Sequence, residues 1–275
     1  MTQPPLRVTA VTLSYNQRPF LERAIRSVLE QDFPLEYIIV DPGSTDGSRD
    51  LIERYRRRLA CIVLEPDDGP ADGLNKAIEL TSGDVFVCVN ADDALLPGAV
   101  ASAVVALERY PHAAAVYADG YFVDGTGRPT RRFRSTDFDL KRYVFGGVNV
   151  MQQATFLRRD AFFAVGGFNR ANRTSWDGEL LVDLGLAGWE LRHVGGLWGI
   201  FSIHADSISG SGRLNSEYDR DRVRVFEKVV GRSPNQHDRT AFALARVEKW
   251  LRDPRYLMWR ITDSVRRPKL AEALP

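Results

Sequence analysis

Two adjacent carboxylates, Asp92 and Asp93, stand just past an unbroken apolar run, Val85-Phe86-Val87-Cys88-Val89, with Asn90 and Ala91 between. Five consecutive apolar residues, three of them β-branched, are expected to form a strand buried on both faces. In an open α/β sheet, ligands bind beyond the carboxyl ends of such strands. Acidic oxygens there suit a hard divalent cation, with phosphate groups supplying further ligands. The same residues also read as a helix start, with Asp92 or Asp93 as N-cap, Pro97 in the first turn and the apolar positions of 99–107 behind it. A third carboxylate, Asp177, lies in Trp176-Asp177-Gly178-Glu179, which opens an amphipathic helix carrying Leu180, Leu181, Leu184 and Leu186. Near a helix N-terminus it complements the dipole; beside an acceptor it could also serve as a general base.

These groups need a scaffold, and the first 110 residues supply its rhythm. Residues 8–13 form a β-rich run ending at Ser14-Tyr15-Asn16, and Phe20, Leu21, Ala24, Ile25, Val28 and Leu29 then repeat with helical period. Residues 37–40 read as a second strand, broken by Asp41-Pro42-Gly43. Ser44 or Asp46 can cap the next helix, with Leu51, Ile52, Tyr55 and Leu59 as its apolar positions. Residues 61–64 are a third strand, and a helix over roughly 71–81 ends at Gly83. Strand and helix alternate, which predicts right-handed crossovers and a mostly parallel sheet. Each strand-to-helix junction is polar, acidic or glycine-bearing: Tyr15 and Asn16; Asp41, Gly43, Ser44 and Asp46; Asp67, Asp68 and Asp72; Asp92 and Asp93. Converging on one sheet edge, they make a nucleotide-sized polar crevice. No Gly-x-Gly-x-x-Gly follows the first strand and no Walker sequence occurs, which disfavours a Rossmann dehydrogenase or a P-loop enzyme.

Beyond residue 110 the rhythm changes. Residues 113–121 read as a strand and 122–130 as a turn-rich hairpin around Asp124-Gly125-Thr126-Gly127. Residues 152–159 could return to the sheet, Asp160 caps a short helix ending at Gly166-Gly167, and 197–203 form a last strand ending at His204.

With 275 residues and 44% hydrophobic content the chain can bury a full core, and its net charge of +1 suggests no nucleic acid. Cys61 and Cys88 sit in apolar runs, where free cysteine behaves as a small hydrophobe. No signal peptide opens the sequence and no apolar run approaches the ~20 residues of a spanning helix. A cytoplasmic protein is the expectation. Charge is uneven, however: residues 213–275 carry 15 Lys/Arg against 9 Asp/Glu, and residues 1–212 carry 22 against 27.

Taken together, Ser14-Tyr15-Asn16-Gln17, Asp41-Pro42-Gly43-Ser44-Thr45-Asp46-Gly47-Ser48, Glu65-Pro66-Asp67-Asp68-Gly69, Asp72 to Asn75, Asn90 to Asp93, Gly166-Gly167-Phe168 and Trp176 to Glu179 resemble the family-2 glycosyltransferases of the GT-A fold. The resemblance covers about residues 6–210. It implies an open, mostly parallel α/β sheet flanked by helices, with a catalytic domain over 1–212 (donor half about 6–110, acceptor half about 111–212) and a helical extension over 213–275. It also implies transfer, with inversion, of a sugar from a nucleotide-diphosphate sugar to an acceptor hydroxyl, usually with Mg²⁺ or Mn²⁺. By the same resemblance Thr12, Tyr15 and Asp41 hold the base and ribose, with Asn16 beside them, and Asp72 and Asn75 line the same pocket. Asn90-Ala91-Asp92 occupies the family's Asp-x-Asp motif, with Asp92 as metal ligand. Here Asn90 replaces the first acid and could touch the ribose or sugar through its amide. Asp177 stands where the family has its catalytic base, preceded by Trp176 instead of an acid, and His204 resembles a histidine that joins the metal or diphosphate. A UDP-linked donor and a glycan or lipid-linked saccharide acceptor, in bacterial surface polysaccharide synthesis, are the expected partners.

Two alternatives stay open: a catalytically silent nucleotide-sugar-binding module, and a sugar-phosphate nucleotidyltransferase. The second needs a glycine-rich, Lys/Arg-bearing loop after the first strand, which residues 14–19 do not supply. In the C-terminal fifth, Tyr218, Val225, Phe226 and Val229 form one helical stripe, and Phe242, Leu244 and Ala245 with Trp250 another. Residues 255–267 interleave Tyr256, Leu257, Met258, Trp259, Ile261 and Val265 with Arg260, Arg266 and Arg267. This last segment is either a helix packed on the catalytic domain, an interfacial helix on anionic lipid at the inner face of the membrane, or a surface for a partner protein.

Overall fold

The computed structural model describes residues 5–205 and 207–252; the segment 255–267 lies outside them. The chain opens with β1 (Val8–Leu13), α1 (Arg18–Leu29), β2 (Leu35–Val40), α2 (Ser48–Tyr55), β3 (Cys61–Val63), α3 (Pro70–Glu79) and β4 (Val85–Asn90), the alternation expected from the sequence. α1 and α3 each carry a proline in the first turn, where the missing N–H costs nothing. The four strands pair in parallel in the order β3-β2-β1-β4. Their side chains alternate between two cores. Tyr37, Ile39, Val85, Val87 and Val89 pack with Leu21 and Ile25 of α1 on one face. On the other, Ile38, Val40, Phe86 and Cys88 pack with Leu74 and Ile78 of α3. Burial on both faces is why the strands carry no polar alternation.

After β4 the two readings of Asp92 and Asp93 part. A short β5 (Ala94–Leu95) follows, and α4 (Ala99–Arg109) starts only after Gly98, whose φ of +75° supplies the left-handed turn. Neither aspartate caps a helix; both sit in the turn between β4 and β5. β6 (Ala113–Val123) and β7 (Pro129–Phe133) make the expected hairpin. Next come α5 (Leu140–Val144), a 3-10 turn (Gln152–Ala154), β8 (Thr155–Arg158), α6 (Arg159–Ala164), α7 (Trp176–Leu186) and β9 (Glu190–Ser202). β9 starts earlier than the apolar run 197–203 suggests, because its first half is polar and broken by Gly195 and Gly196. β8 inserts antiparallel between β4 and β6, β9 runs parallel to β6, and β5 pairs antiparallel with β9. The sheet order is β3-β2-β1-β4-β8-β6-β9-β5, with β7 on β6. The expected open α/β sheet flanked by helices is present, with parallel pairing throughout the first half and mixed pairing in the second. At Gly199 a Cβ would lie 2.9 Å from the main chain of Gln153. The absence of a side chain there lets the 3-10 turn press onto β9 and reach the end of β4.

α8 (Ile208–Ser211), α9 (Asn215–Val230) and α10 (Asp238–Arg252) complete the described chain. Phe226 of α9 and Phe242 of α10 meet Phe145, just after α5, with ring centroids 5.4 and 5.2 Å apart. Phe242 and Ala245 thus face inward, whereas Leu244, assigned to the same stripe, is exposed. Among the described residues no helix is long and apolar enough to cross a membrane.

Candidate active site

The parallel register sets the site. Leu13 pairs with both Val40 and Asn90, so β1, β2 and β4 end level, and their loops emerge side by side. In the β2 loop, Asp41 is fully buried. Its Oδ1 accepts the N–H of Gly43 at 3.1 Å and of Ser44 at 2.7 Å, and Arg49 Nε donates to it at 3.0 Å. Gly43 has a φ of +147°, open to glycine alone among common residues. Asp41 Oδ2 is buried and has no partner. An unmatched carboxylate oxygen is costly in the interior. Asn16, at the left-handed φ of 53°, ties the β1 loop to the β2 loop. Its N–H donates to Ser44 Oγ at 2.8 Å and its Oδ1 accepts from Thr45 N–H at 2.9 Å. Tyr15, beside it, is 59% exposed.

The β4–β5 turn forms the second corner. Pairing of β5 with β9 carries the end of β9 past Asp92 and Asp93. Asp92 Oδ2 lies 3.1 Å from His204 Nε2, and the His204 ring stacks on Phe20 of α1 with centroids 4.3 Å apart. Burial raises the Asp92 carboxyl above its ordinary range, and the His204 contact offsets part of that. Asp93 points the other way. Its Oδ1 accepts Ser202 N–H at 2.9 Å, and its Oδ2 accepts Gln153 Nε2 at 2.7 Å and Asn90 Nδ2 at 3.0 Å. Burial, then the charge of Asp92, push the Asp93 carboxyl well up. The two neighbours therefore differ: Asp93 is saturated from within, whereas Asp92 and His204 present side-chain atoms to each other.

Other residues singled out by sequence are more occupied. Thr12 is fully buried, and its hydroxyl shares a 2.8 Å hydrogen bond with Tyr37. Asp72 Oδ2 pairs with Lys76 at 2.8 Å and accepts Asp68 N–H at 3.1 Å, while Arg170 Nε reaches Oδ1 at 2.9 Å. The Lys76 hydrogen bond leads the groups that hold the Asp72 carboxyl low. Asn75 spends its amide on the main chain of Phe168, donating to the carbonyl at 2.8 Å and accepting the N–H at 2.9 Å. Asn90 gives its amide to Asp93.

Asp177 and Glu179, two residues apart in the first turn of α7, have opposite surroundings. Asp177 shares a largely apolar pocket with Cys88, Leu157, Phe168, Trp176 and Leu180. Burial raises its carboxyl, and main-chain N–H groups offset only part of the rise. Glu179 is fully buried among donors: Asn169 at 2.8 Å, Asn172 at 2.7 Å, Arg224 at 2.8 Å and Lys228 at 2.7 Å. Burial alone would raise it, but these hydrogen bonds prevail and hold it at about 2. Asp177 is thus shaped to take up a proton and Glu179 to keep its charge.

The sequence of residues 9–166 matches Glycosyl transferase family 2. The chain belongs to this family. It is similar to TuaG of Bacillus subtilis (strain 168), provisionally assigned to teichuronic acid biosynthesis, with 40% identity over 90 residues, 31% of this chain and 36% of that one. A PGL/p-HBAD biosynthesis glycosyltransferase of Mycobacterium bovis (strain BCG / Pasteur 1173P2) is 29% identical over 187 residues, 64% of this chain and 69% of the relative. The chain spans only about a third to two thirds of the length of TuaG and of the Mycobacterium tuberculosis glycosyltransferase Rv1514c. Among solved structures, Staphylococcus aureus TarS 1-349 in complex with UDP-GlcNAc superposes with a TM-score of 0.67 at 17% identity, over 90% of this chain and 72% of that one. The mannosyltransferase PcManGT from Pyrobaculum calidifontis, with GDP-Man and Mn²⁺, gives 0.64 at 20% identity, over 90% and 70%.

Within this family fold, three residues at the acidic corner escaped sequence reasoning. Gln153 and Ser202 reach Asp93 from segments about 60 and 110 residues away. Arg23 of α1 donates to the Asp92 carbonyl at 2.6 Å and to Ser202 Oγ at 2.7 Å. No local pattern marks any of them. Glu179 generates a prediction of its own. Its carboxyl falls from an ordinary 4.5 to about 2 on folding, so it stabilises the native state fully above about pH 4.5 and loses that contribution as pH drops toward 2. The contribution is on the order of 3 kcal/mol. Glu179→Gln takes one acceptor from Arg224, which keeps Asp221, and one from Lys228, which keeps Asp183, and is expected to cost about 1–3 kcal/mol at neutral pH. Urea unfolding at pH 7, 4 and 3 checks both statements: the wild type should lose stability over this window more steeply than the variant.

Proposed function

We propose that the protein is an inverting glycosyltransferase that moves a sugar from a UDP-linked donor to a hydroxyl of a glycan or lipid-linked saccharide in bacterial surface polysaccharide synthesis. The meeting of Asp92 and His204, 3.1 Å apart just past the end of β4, carries this reading, and the unmatched oxygen of Asp41 stands at the end of β2 on the same edge of the sheet. Asp41 Oδ2 suits an N–H of the base, and the exposed ring of Tyr15 offers a face for it. That TarS is solved with UDP-GlcNAc supports a uridine nucleotide, and the name of TuaG supports a surface polymer.

The residues present fit a divalent cation. Asp92 supplies a carboxylate oxygen and His204 an imidazole nitrogen, both accepted by Mn²⁺ and, for the oxygen, by Mg²⁺. Among the described residues no three His, Cys, Asp or Glu side chains form a complete cage. A site of two protein ligands leaves room for phosphate oxygens and water, as nucleotide-bound Mg²⁺ sites require. PcManGT, solved with Mn²⁺, supports the same choice. When bound, the cation would neutralise charge on the departing diphosphate as a Lewis acid.

The chain's own groups do the rest. Asp177 accepts the proton of the attacking hydroxyl in the transition state, an effect worth about 10²–10⁴-fold. Its apolar pocket makes it a stronger base than an exposed aspartate, and inversion needs no enzyme nucleophile. Asp72 is paired with Lys76 and Arg170, so contact with the donor would require exchange of one of these ions. Thr12 and Asn75 act from behind the pocket, through Tyr37 and Phe168. An interfacial role for 255–267 is supported just upstream, where α10 exposes Leu244, Val247 and Leu251 along one stripe, flanked by the exposed Arg239 and Arg246.

Three outcomes follow. UDP should raise the melting temperature only with Mn²⁺ or Mg²⁺ present, increasing with ligand by mass action; equal shifts in chelator would remove the metal. Asp177→Asn keeps the shape of the side chain but cannot take a proton at neutral pH. Turnover should fall about 10²–10⁴-fold with donor affinity nearly unchanged, and in the wild type turnover should fall with acidification through the raised Asp177 carboxyl. Near-normal turnover in this variant would overturn the assignment of the base. Truncation after residue 254, and separately raised salt, should reduce sedimentation with anionic liposomes; indifference of the full chain to such liposomes at low salt would refute the membrane contact.

A further inference from the structure

The acidic corner contains a cation of its own. Arg23 projects from the second turn of α1 into the space behind the β4–β5 turn, where it is largely buried. Its Nη2 donates to the Asp92 carbonyl at 2.6 Å and to Ser202 Oγ at 2.7 Å. Ser202 Oγ donates in turn to the same Asp92 carbonyl, closing a triangle. The main chain of Ser202 is bound to Asp93 Oδ1, and His204 lies two residues further on. Arg23 Nε is buried without a hydrogen-bond partner, so the guanidinium holds this corner through Nη2 at the cost of one unmatched donor. α1 also holds β5 and the residue after it: Ser27 Oγ accepts Leu95 N–H at 3.1 Å, and Gln31 Nε2 donates to the Leu96 carbonyl at 3.0 Å.

We propose that Arg23 is a positioning residue: by fixing the Asp92 carbonyl and the Ser202 hydroxyl together, it sets the direction of the Asp92 carboxylate toward His204 and with it the affinity of this corner for a divalent cation. The inference rests on Asp92 and His204 as the cation ligands. A carboxylate on a short turn points where its own peptide plane allows. With the carbonyl anchored from two sides, rotation of that plane is blocked, and β4 and β9 keep the spacing that lets one ion touch both side chains. The guanidinium keeps its charge in the interior and offsets two adjacent carboxylates without competing for their side-chain oxygens. Groups behind metal ligands typically change affinity about 10–100-fold when removed.

The test is Mn²⁺ binding followed by electron paramagnetic resonance, without substrate, in the wild type and in Arg23→Met, Arg23→Lys, Ser202→Ala and Asp92→Asn. Uridine, which has no phosphate to meet the ion, probes the rest of the pocket. Arg23→Met should raise half-saturation for Mn²⁺ about tenfold or more, Arg23→Lys should recover part of the loss, and Ser202→Ala should shift it less in the same direction. Uridine affinity should stay at the wild-type value in all of them. If Arg23→Met fails to fold, Arg23→Lys and Ser202→Ala carry the comparison. Half-saturation within twofold of the wild type in the folded Arg23 and Ser202 variants, while Asp92→Asn loses the ion, would overturn the role of Arg23 alone. Mn²⁺ binding that survives in Asp92→Asn would overturn the cation site and this inference with it. Parallel loss of uridine and Mn²⁺ binding would show a general disturbance and refute positioning.

Discussion

The structure turns on one buried carboxyl group whose oxygens are met entirely from within the protein. Asp93, 1% exposed, must collect donors or become protonated, since an unmatched charge in the interior costs several kcal/mol, roughly. It collects them from three separate segments: the end of β4, the 3-10 turn before β8 and the end of β9. The second half of the sheet is thereby locked to the first at the place where β4 ends. Asp92 is exposed to its neighbours because Asp93 is not. The pairing of β5 with β9, the close approach at Gly199 and the hold of α1 on β5 all serve this junction.

Buried polar groups here divide by whether their hydrogen bonds close within the protein. Asp93, Glu179 and Asn75 are closed, and each ties together parts of the chain remote in sequence. Asp41 keeps one oxygen unmatched, and Asp177 sits against largely apolar walls. The first group ties the fold together; the second leaves carboxylate oxygens uncommitted. Both are aspartates, glutamates and asparagines at strand or helix ends, and composition does not separate them.

That division also marks what could be read from the sequence. Alternating apolar runs placed β1 to β4 and α1 to α3 closely, because strands buried on both faces have only one way to be written. The polar or acidic junctions after β1, β2 and β4 do emerge level on one edge of the sheet. The environment of each acid was not legible: whether Thr12 faces a ligand or Tyr37, or whether Glu179 is free or ringed by donors, depends on residues up to about 50 positions away or across the sheet. β5 is two residues long and has no periodicity to detect. The first half of β9, polar and interrupted by glycines, hides for the opposite reason, since its partner β6 supplies the apolar face.

The grip of α9 on α7 bears on modularity. Arg224 and Lys228 reach across to Glu179, whose main chain begins the helix that carries Asp177. Family members that exchange C-terminal regions by recombination would exchange these two cations as well. An incoming region lacking them would leave Glu179 with only the amides of Asn169 and Asn172, two residues from Asp177. Variation in the C-terminal region is thereby tied, through one pair of charges, to the first turn of α7.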